Sequence, residues 1–271
     1  MKPYLVNLGP DGQQLPIALA HRGFADPAAG NQALENSMAA FAAAVDLGYR
    51  YLETDVHGTH DGVAVALHDE TLDRTTDGHG TVSELPWAKV KQAYIGGIEP
   101  IPTLEELLNA WDYIKWNIDI KSDSAIGPTA EVIEKTRAHD RVLITSFSPH
   151  RRRAVVKKLS RPVATGAATP EIAAFVAATR ARSKRLAAAA VRDADAIQVP
   201  IGQSLGPFGG MSVADAATVK MAHAIGKQLH VWTVDTRALM EQLLDIGVDG
   251  IFTDRADTLA KVLIERDAWP S

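Results

Sequence analysis

Histidines and charged residues follow, or fall within, short apolar runs of this sequence. The groups are His21-Arg22, Glu53-Thr54-Asp55, His68-Asp69 and Asp119-Ile120-Lys121. A buried charge is unfavourable unless it is paired, hydrogen-bonded or bound to a metal ion. One active site explains all four groups: a hard metal ion beside two histidines, with cations placed to bind a phosphate.

Glu53 and Asp55 are predicted to bind the metal ion. Side chains alternate along a strand, so these two carboxylates project to the same side, while Leu52 and Val56 project to the apolar layer outside the sheet. Two carboxylates held this close repel each other, and a divalent cation removes the repulsion. Because only oxygen ligands are in reach, we expect one hard cation, Mg²⁺ or Ca²⁺, with Mn²⁺ also compatible.

Asp119 is the candidate third metal ligand. It lies at the end of another apolar run and shares a strand face with Lys121. The alternative is an ion pair between Asp119 and Lys121 that only closes the strand.

His21 and His68 are the candidate acid–base pair. An imidazole with a pKa near 6.5 can accept or donate a proton close to neutrality. Arg22 offers a forked donor for a phosphate, and Lys121 offers a compact positive charge. The chain has no cysteine and no Gly-x-Ser-x-Gly motif, and the remaining set is typical of metal-assisted phosphodiester cleavage.

Eight short apolar runs, each followed by a segment with helical periodicity, must position these side chains. Strands are predicted at residues 17–21, 49–56, 116–120, 142–146, 162–165, 196–200, 229–234 and 250–253. Eight β-then-α units in 271 residues predict an α/β fold, a (β/α)8 TIM barrel forming a single domain over residues 1–271. The second and third strands are unusually far apart, which predicts a small insertion at about residues 57–102. Ser37 and the Thr103–Glu106 capping box should begin two of the helices.

Composition excludes several classes of protein. The net charge of -5 does not favour nucleic acid, and no apolar run is long enough for membrane insertion. No secretion-type apolar segment follows Met1, so we expect a cytoplasmic protein. The absence of cysteine excludes disulfides and thiolate metal ligands. Composition does not predict the oligomeric state.

The motifs, taken together and in order, resemble those of the glycerophosphodiester phosphodiesterase family. The matching segments are His21-Arg22-Gly23, Glu35-Asn36-Ser37, Glu53-Thr54-Asp55-Val56, His68-Asp69, Arg74-Thr75-Thr76, Pro102-Thr103-Leu104-Glu105-Glu106, Asn117-Ile118-Asp119-Ile120-Lys121, Ser146-Phe147, Val231-Trp232-Thr233-Val234-Asp235 and the run from Gly247 to Asp254. The resemblance implies a TIM barrel with a small insertion after the second strand. It also implies metal-dependent hydrolysis of glycerophosphodiesters to sn-glycerol 3-phosphate and an alcohol.

By position, the resemblance implies a role for each candidate residue. His21 and His68 form the catalytic pair, while Arg22 and Lys121 bind the phosphate. The implied metal ligands are Glu53, Asp55 and Asp119. Trp232 matches a family tryptophan beside the glycerol of the substrate, and the alternative is an ordinary core aromatic.

The chain departs from the family pattern in three places. The family usually has Glu at the position of Asp119, so this carboxylate is one methylene shorter. The segment 24–33 is longer than usual, and residues 34–37 read Leu-Glu-Asn-Ser where Pro-Glu-Asn-Thr is usual. These last two changes follow the first strand and are expected to reshape the rim of the site.

Several alternatives stay open. A lysophospholipase D type activity on lysophospholipids is a related enzyme function, and the apolar, glycine-rich segment 204–211 could contact a lipid chain or be a packed surface loop. A catalytically silent barrel that binds phosphate ligands is disfavoured because both histidines, Glu53 and Asp55 are present. The sequence does not decide which histidine is the acid, or whether water or the substrate's own 2-hydroxyl attacks.

Overall fold

A computed structural model of the chain describes residues 1–26, 28, 34–201 and 213–270. The strands are β1 (Ile17–Ala20), β2 (Tyr51–Gly58), β3 (Ala64–Ala66), β4 (Tyr94–Ile95), β5 (Glu99–Pro100), β6 (Lys115–Ile120), β7 (Val142–Thr145), β8 (Ala164–Thr165), β9 (Ala196–Pro200), β10 (Gln228–Trp232) and β11 (Gly250–Thr253). The glycine-rich segment 204–211 lies outside the described residues, as do residues 27 and 29–33 of the segment 24–33.

The helices alternate with the strands. They are α1 (Met38–Asp46), α2 (Trp87–Val90), α3 (Leu104–Ala110), α4 (Ile126–Thr136), α5 (Pro149–Lys158), α6 (Thr169–Arg180), α7 (Lys184–Ala190), α8 (Ala216–Ala224), α9 (Arg237–Asp245) and α10 (Ala256–Glu265). Ser37 caps α1 by accepting from the Ala40 amide, and Thr103 and Glu106 form the predicted capping box of α3. Of these helices, none is long and apolar enough to cross a membrane within the described residues, and the cytoplasmic location stays a prediction.

Eight of the described strands form a parallel barrel in the order β8-β7-β6-β2-β1-β11-β10-β9. A parallel bridge between Gly166 and Ala196 joins the two ends of this order. All eight predicted strands are present, with boundaries shifted by at most two residues, so the predicted (β/α)8 barrel is confirmed. Its parallel strands place their carboxyl ends, and the residues that follow them, at one face of the barrel.

The alternation of side chains on β2 agrees with the prediction. Leu52 and Val56 belong to the large apolar cluster between the strands and the helices, whereas Tyr51 belongs to a smaller cluster inside the barrel. Glu53 and Asp55 lie on the same side of the strand as Tyr51 because they are two and four residues further along. The strand therefore directs both carboxylates into the barrel.

The segment between β2 and α3 carries β3, β4, β5 and α2 and has an apolar cluster of its own. β3 pairs antiparallel with the end of β2, so the chain turns back toward the barrel after Gly58. A Cβ on Gly58 would lie 2.1 Å from the Ser124 carbonyl oxygen, and glycine allows this close approach. The second barrel strand thus continues into a two-stranded extension.

Polar side chains from different strands are hydrogen-bonded to one another inside the barrel. Gln198 Nε2 donates to Asn117 Oδ1 at 2.7 Å, and His230 lies between Gln198 and Gln228 at 3.4 and 3.1 Å. His230 is fully buried, and burial lowers its pKa to about 4. The imidazole is therefore neutral in the folded protein.

Acidification is expected to weaken the fold through His230. The unfolded chain binds this proton near pH 6.5 but the folded protein binds it only near pH 4, so the free energy of unfolding falls as the pH falls through this range. Between pH 7 and pH 5 the contribution is about 2 kcal/mol. Urea unfolding of wild type and His230→Gln at both pH values measures it, and an equal pH dependence in the two proteins would contradict this assignment.

Candidate functional site

One cavity of about 340 Å³ opens at the carboxyl ends of the barrel strands. Its walls include all eight site residues predicted from the sequence: His21, Arg22, Glu53, Asp55, His68, Asp119, Lys121 and Trp232. Its volume is in the range of small-molecule sites. The fold therefore brings the predicted residues to one place, whatever role each of them has.

The turn after β1 places His21 and Arg22 at the cavity. Arg22 adopts a left-handed backbone with φ 56°, and its amide donates to Glu53 Oε2 at 3.0 Å. Gly23 follows with φ 88°, and a Cβ there would lie 2.7 Å from the backbone carbon of Ala40. Glycine therefore lets this turn pack directly on helix α1.

Asp55 is the most heavily compensated carboxylate of the site. It is 2% exposed; Arg22 Nε lies 3.1 Å from its Oδ2 and Lys121 Nζ 3.3 Å from its Oδ1. Asn36 Nδ2 donates to Oδ2 at 3.1 Å, and Asn36 is held in turn by the Thr54 hydroxyl at 2.8 Å. Burial alone would raise the pKa of Asp55, but Lys121 and Arg22 keep it below its usual range.

Glu53 and Asp119 are less well compensated. Burial and the neighbouring charge of Asp55 raise the pKa of Glu53 to about 8. Asp119 lies beside Asp55 in the β2–β6 register, and burial is the main reason that its pKa rises to about 6. Lys121 Nζ donates to Asp119 Oδ2 at 3.4 Å, whereas the buried Oδ1 has no hydrogen-bond partner. The ion pair with Lys121, which was the alternative to metal binding, is thus present, but it provides a partner for only one of the two carboxylate oxygens.

A divalent cation fits the chemistry of this carboxylate set. The buried Asp119 Oδ1 has no hydrogen-bond partner, and the raised pKa values of Glu53 and Asp119 show that the surrounding protein compensates their ionised forms poorly. Within the described ranges, however, no three His, Asp or Glu side chains are placed to hold a metal ion. The donor oxygens are suitable, but Arg22 and Lys121 occupy both oxygens of Asp55 in this arrangement.

Each of the two candidate histidines is held by an aspartate. His21 Nδ1 lies 2.7 Å from Asp254 Oδ1, and His68 Nδ1 lies 2.6 Å from Asp69 Oδ1. An aspartate that accepts the Nδ1 proton fixes the ring and leaves the Nε2 lone pair available. Burial would lower the pKa of His21, but the hydrogen bond to Asp254 and the charge of Glu53 raise it above its ordinary value.

His68 reaches the cavity from the insertion. It follows β3, which is antiparallel and belongs to the insertion, and is not at the end of a barrel strand. The Leu67 amide donates to the Asp55 carbonyl at 3.0 Å, which returns the chain to the level of the carboxylates. The antiparallel turn of the insertion therefore supplies the second histidine.

Part of the cavity wall is apolar. Trp232 stacks on Phe147 with ring centroids 5.9 Å apart, and its Nε1 donates to the Gln198 carbonyl at 3.1 Å. Ala167 and Ile172 continue this wall. Trp232 is thus a cavity residue rather than only a core aromatic, and the cavity has one ionic and one apolar side.

Sequence reasoning assigned no role to several polar residues around the site. Asp69 is adjacent to a candidate histidine, and this proximity was an available signal. Asp254 is 233 positions from His21 and is placed by the pairing of β1 with β11. Asn36 and Glu35 approach Asp55 and Arg22 only through the packing of the first loop.

Comparison with known proteins identifies similar sequences across nearly the whole chain. The model of the glycerophosphoryl diester phosphodiesterase family matches residues 21–258. A Mycobacterium tuberculosis protein named "probable glycerophosphodiester phosphodiesterase 2" is 47% identical over 253 residues, which cover 93% of this chain and 92% of that protein.

Solved structures agree with the fold. An Oleispira antarctica phosphodiesterase, solved in complex with the product sn-glycerol-3-phosphate, is 26% identical with a TM-score of 0.72, covering 92% of this chain and 97% of that one. A glycerophosphodiester phosphodiesterase from Agrobacterium tumefaciens is 24% identical with a TM-score of 0.71, covering 92% and 99%. The latter similarity supports the barrel fold alone.

Gly23→Ala is expected to destabilise the protein and to displace Arg22. The positive φ and the contact with Ala40 both oppose a Cβ at this position, and the combined loss should be about 2 kcal/mol or more. Gly62→Ala is the matched control, because Gly62 has φ 82° but no atom within 4 Å of an added Cβ. The free energy of unfolding in urea and the rate of phosphodiester hydrolysis are measured for both variants. Equal losses of stability, or full activity in Gly23→Ala, would contradict the packing argument.

Proposed function

The chain belongs to the glycerophosphodiester phosphodiesterase family, and on that premise we propose that it hydrolyses glycerophosphodiesters to sn-glycerol 3-phosphate and an alcohol, with a divalent cation and with His21 and His68 as the acid–base pair. The observation that carries the proposal is the presence of two Asp-oriented histidines on one cavity with three buried carboxylates. A phosphodiester needs a proton accepted on one side of phosphorus and donated on the other, and two such histidines can supply both.

Arg22 and Lys121 are proposed to bind the non-bridging phosphate oxygens. Both are cations on the cavity wall, and both lie against Asp55. Charge-assisted hydrogen bonds from a guanidinium and an ammonium suit a phosphate, and they strengthen as charge accumulates on its oxygens in the transition state.

The two histidines are proposed to move the protons of the reaction. One imidazole Nε2 removes the proton from the attacking hydroxyl as the new P–O bond forms. The other donates a proton to the oxygen of the departing alcohol as the old P–O bond breaks. Asp254 and Asp69 hold the two rings through Nδ1, so each Nε2 is directed to the substrate.

Glu53, Asp55 and Asp119 are proposed to hold the divalent cation. When bound, a hard cation such as Mg²⁺ or Ca²⁺ would supply positive charge beside the phosphate oxygens. The buried Asp119 Oδ1, which has no hydrogen-bond partner, supports this assignment. For Asp55 to take part, Arg22 and Lys121 must turn from this carboxylate toward the phosphate.

Replacement of either histidine is expected to remove most of the activity. His21→Gln and His68→Gln each lose a general acid or base, a change of about 10² to 10⁴-fold in kcat. His79→Gln is the control, since His79 is 84% exposed in its side chain and pairs with Asp73 on the insertion. Glycerol 3-phosphate release measures the rates, and wild-type turnover by either site variant would refute its assignment.

Removal of metal is expected to abolish turnover. Chelated protein should hydrolyse no substrate, and Mg²⁺, Ca²⁺ or Mn²⁺ added singly should restore glycerol 3-phosphate release. Glu53→Gln should weaken metal binding in titration calorimetry because it removes one of the two carboxylates held on β2. Full activity in chelator would refute the metal assignment.

Hydrolysis assays with different substrates separate the competing functions. Glycerophosphocholine and lysophosphatidylcholine are each incubated with the protein and a single added metal, and the products are compared. Cleavage of the second alone would favour a lysophospholipase D type activity, with the apolar wall around Trp232 facing an acyl chain. Binding without turnover under every metal would favour a silent phosphate-binding barrel.

A further inference from the structure

Arg74 joins two parts of the site that are distant in the sequence. Its Nε contacts Asp69, and its Nη2 lies 3.0 Å from Asp69 Oδ1 and 2.7 Å from Glu35 Oε1. Asp69 holds the ring of His68, and Glu35 accepts from Arg22 Nη1 at 3.2 Å. A continuous chain of charged contacts therefore runs from His68, on the insertion, to Arg22, in the turn after β1.

We propose that Arg74 and Glu35 are positioning residues that fix His68 and Arg22 relative to each other. This inference rests on the proposed function, in which His68 moves a proton and Arg22 binds the phosphate. Neither Arg74 nor Glu35 is among the described residues that line the cavity. They act through Asp69 and Arg22 and do not touch the substrate.

The geometry requires arginine at position 74. A planar guanidinium has several donors in a fixed fork and can bridge two carboxylates at once, whereas a lysine ammonium is a single point charge. Arg74 uses both edges: Nε and Nη2 face Asp69, and Nη1 and Nη2 face Glu35. Because both edges of the guanidinium contact carboxylates, its hydrogen bonds are made to other side chains of the protein.

Positioning, rather than stability, is the expected contribution of this cluster. The Arg74 side chain is 50% exposed, and ion pairs at such sites add little to the free energy of unfolding. If the His68 imidazole and the Arg22 guanidinium are fixed relative to each other before the substrate binds, they need not rearrange during the reaction. The cluster also ties the insertion to the first loop, two segments that lie 39 positions apart at Arg74 and Glu35.

Steady-state kinetics with glycerophosphocholine test the proposal. Arg74→Met should lower kcat/KM roughly 10- to 100-fold, and Arg74→Lys should not rescue it. Glu35→Gln should lower kcat/KM through Arg22, and Asp69→Asn should lower kcat through His68. Arg161→Met is the matched control, because Arg161 is 53% exposed and pairs with Asp140 at 2.7 Å. Wild-type kinetics in Arg74→Met, full rescue by lysine, or an equal loss in Arg161→Met would overturn it.

A double variant separates positioning from a general structural effect. In a His68→Gln background, Arg74→Met should lower kcat by a smaller factor than it does alone, because one of the two groups it positions is already absent. A structural role would lower kcat by the same factor in both backgrounds, and that result would overturn the proposal.

Nitrogen-15 NMR of the histidine rings gives a readout that does not depend on activity. The His68 Nδ1–H signal should lie downfield in wild type, because it donates to Asp69, and should move in Arg74→Met but not in Arg161→Met. An unchanged signal in Arg74→Met would overturn the proposal. If wild type cleaves no glycerophosphodiester, the proposed function fails while the NMR result still decides the positioning role of Arg74.

Discussion

The buried charge of Asp55 is the constraint around which the site is built. A carboxylate at 2% exposure is strongly unfavourable without compensation. Its compensation comes from Arg22 after β1, Lys121 after β6 and Asn36 before α1. Two of these partners lie in the connection between β1 and α1 and the third follows β6. Satisfying one carboxylate therefore determines where these two loops lie at the mouth of the barrel.

The same constraint explains the left-handed turn that follows β1. With its positive φ, Arg22 places its guanidinium against Asp55 and its amide on Glu53, and Gly23 lets the chain then pass close to Ala40. Local strain of this kind persists where the surrounding contacts determine it. The strained turn and the buried carboxylates therefore support each other, and both belong to the face of the barrel where the family carries out its chemistry.

The cavity is divided into two chemically different sides. Charged residues lie on or after β1, β2, β6 and the antiparallel strand of the insertion, whereas the apolar side contains Phe147, after β7, and Trp232, at the end of β10. A ligand with an ionic phosphate and an uncharged group can bind such a cavity in only one orientation without burying an unpaired charge. This division agrees with the phosphodiesterase activity for which the family is named.

The sequence by itself determined the barrel and the direction of the carboxylates, because strand alternation is a local property: once β2 is a strand, Glu53 and Asp55 must share the face opposite to Leu52. It also identified the eight residues that meet at the cavity. Only the tertiary structure decided how they are held. His68 follows the antiparallel strand β3. The pairing of β1 with β11 places Asp254 beside His21, and Arg74 contacts both Asp69 and Glu35. Hydrogen bonds between distant segments depend on how loops pack around a shared buried charge, and no local periodicity in the sequence records that packing.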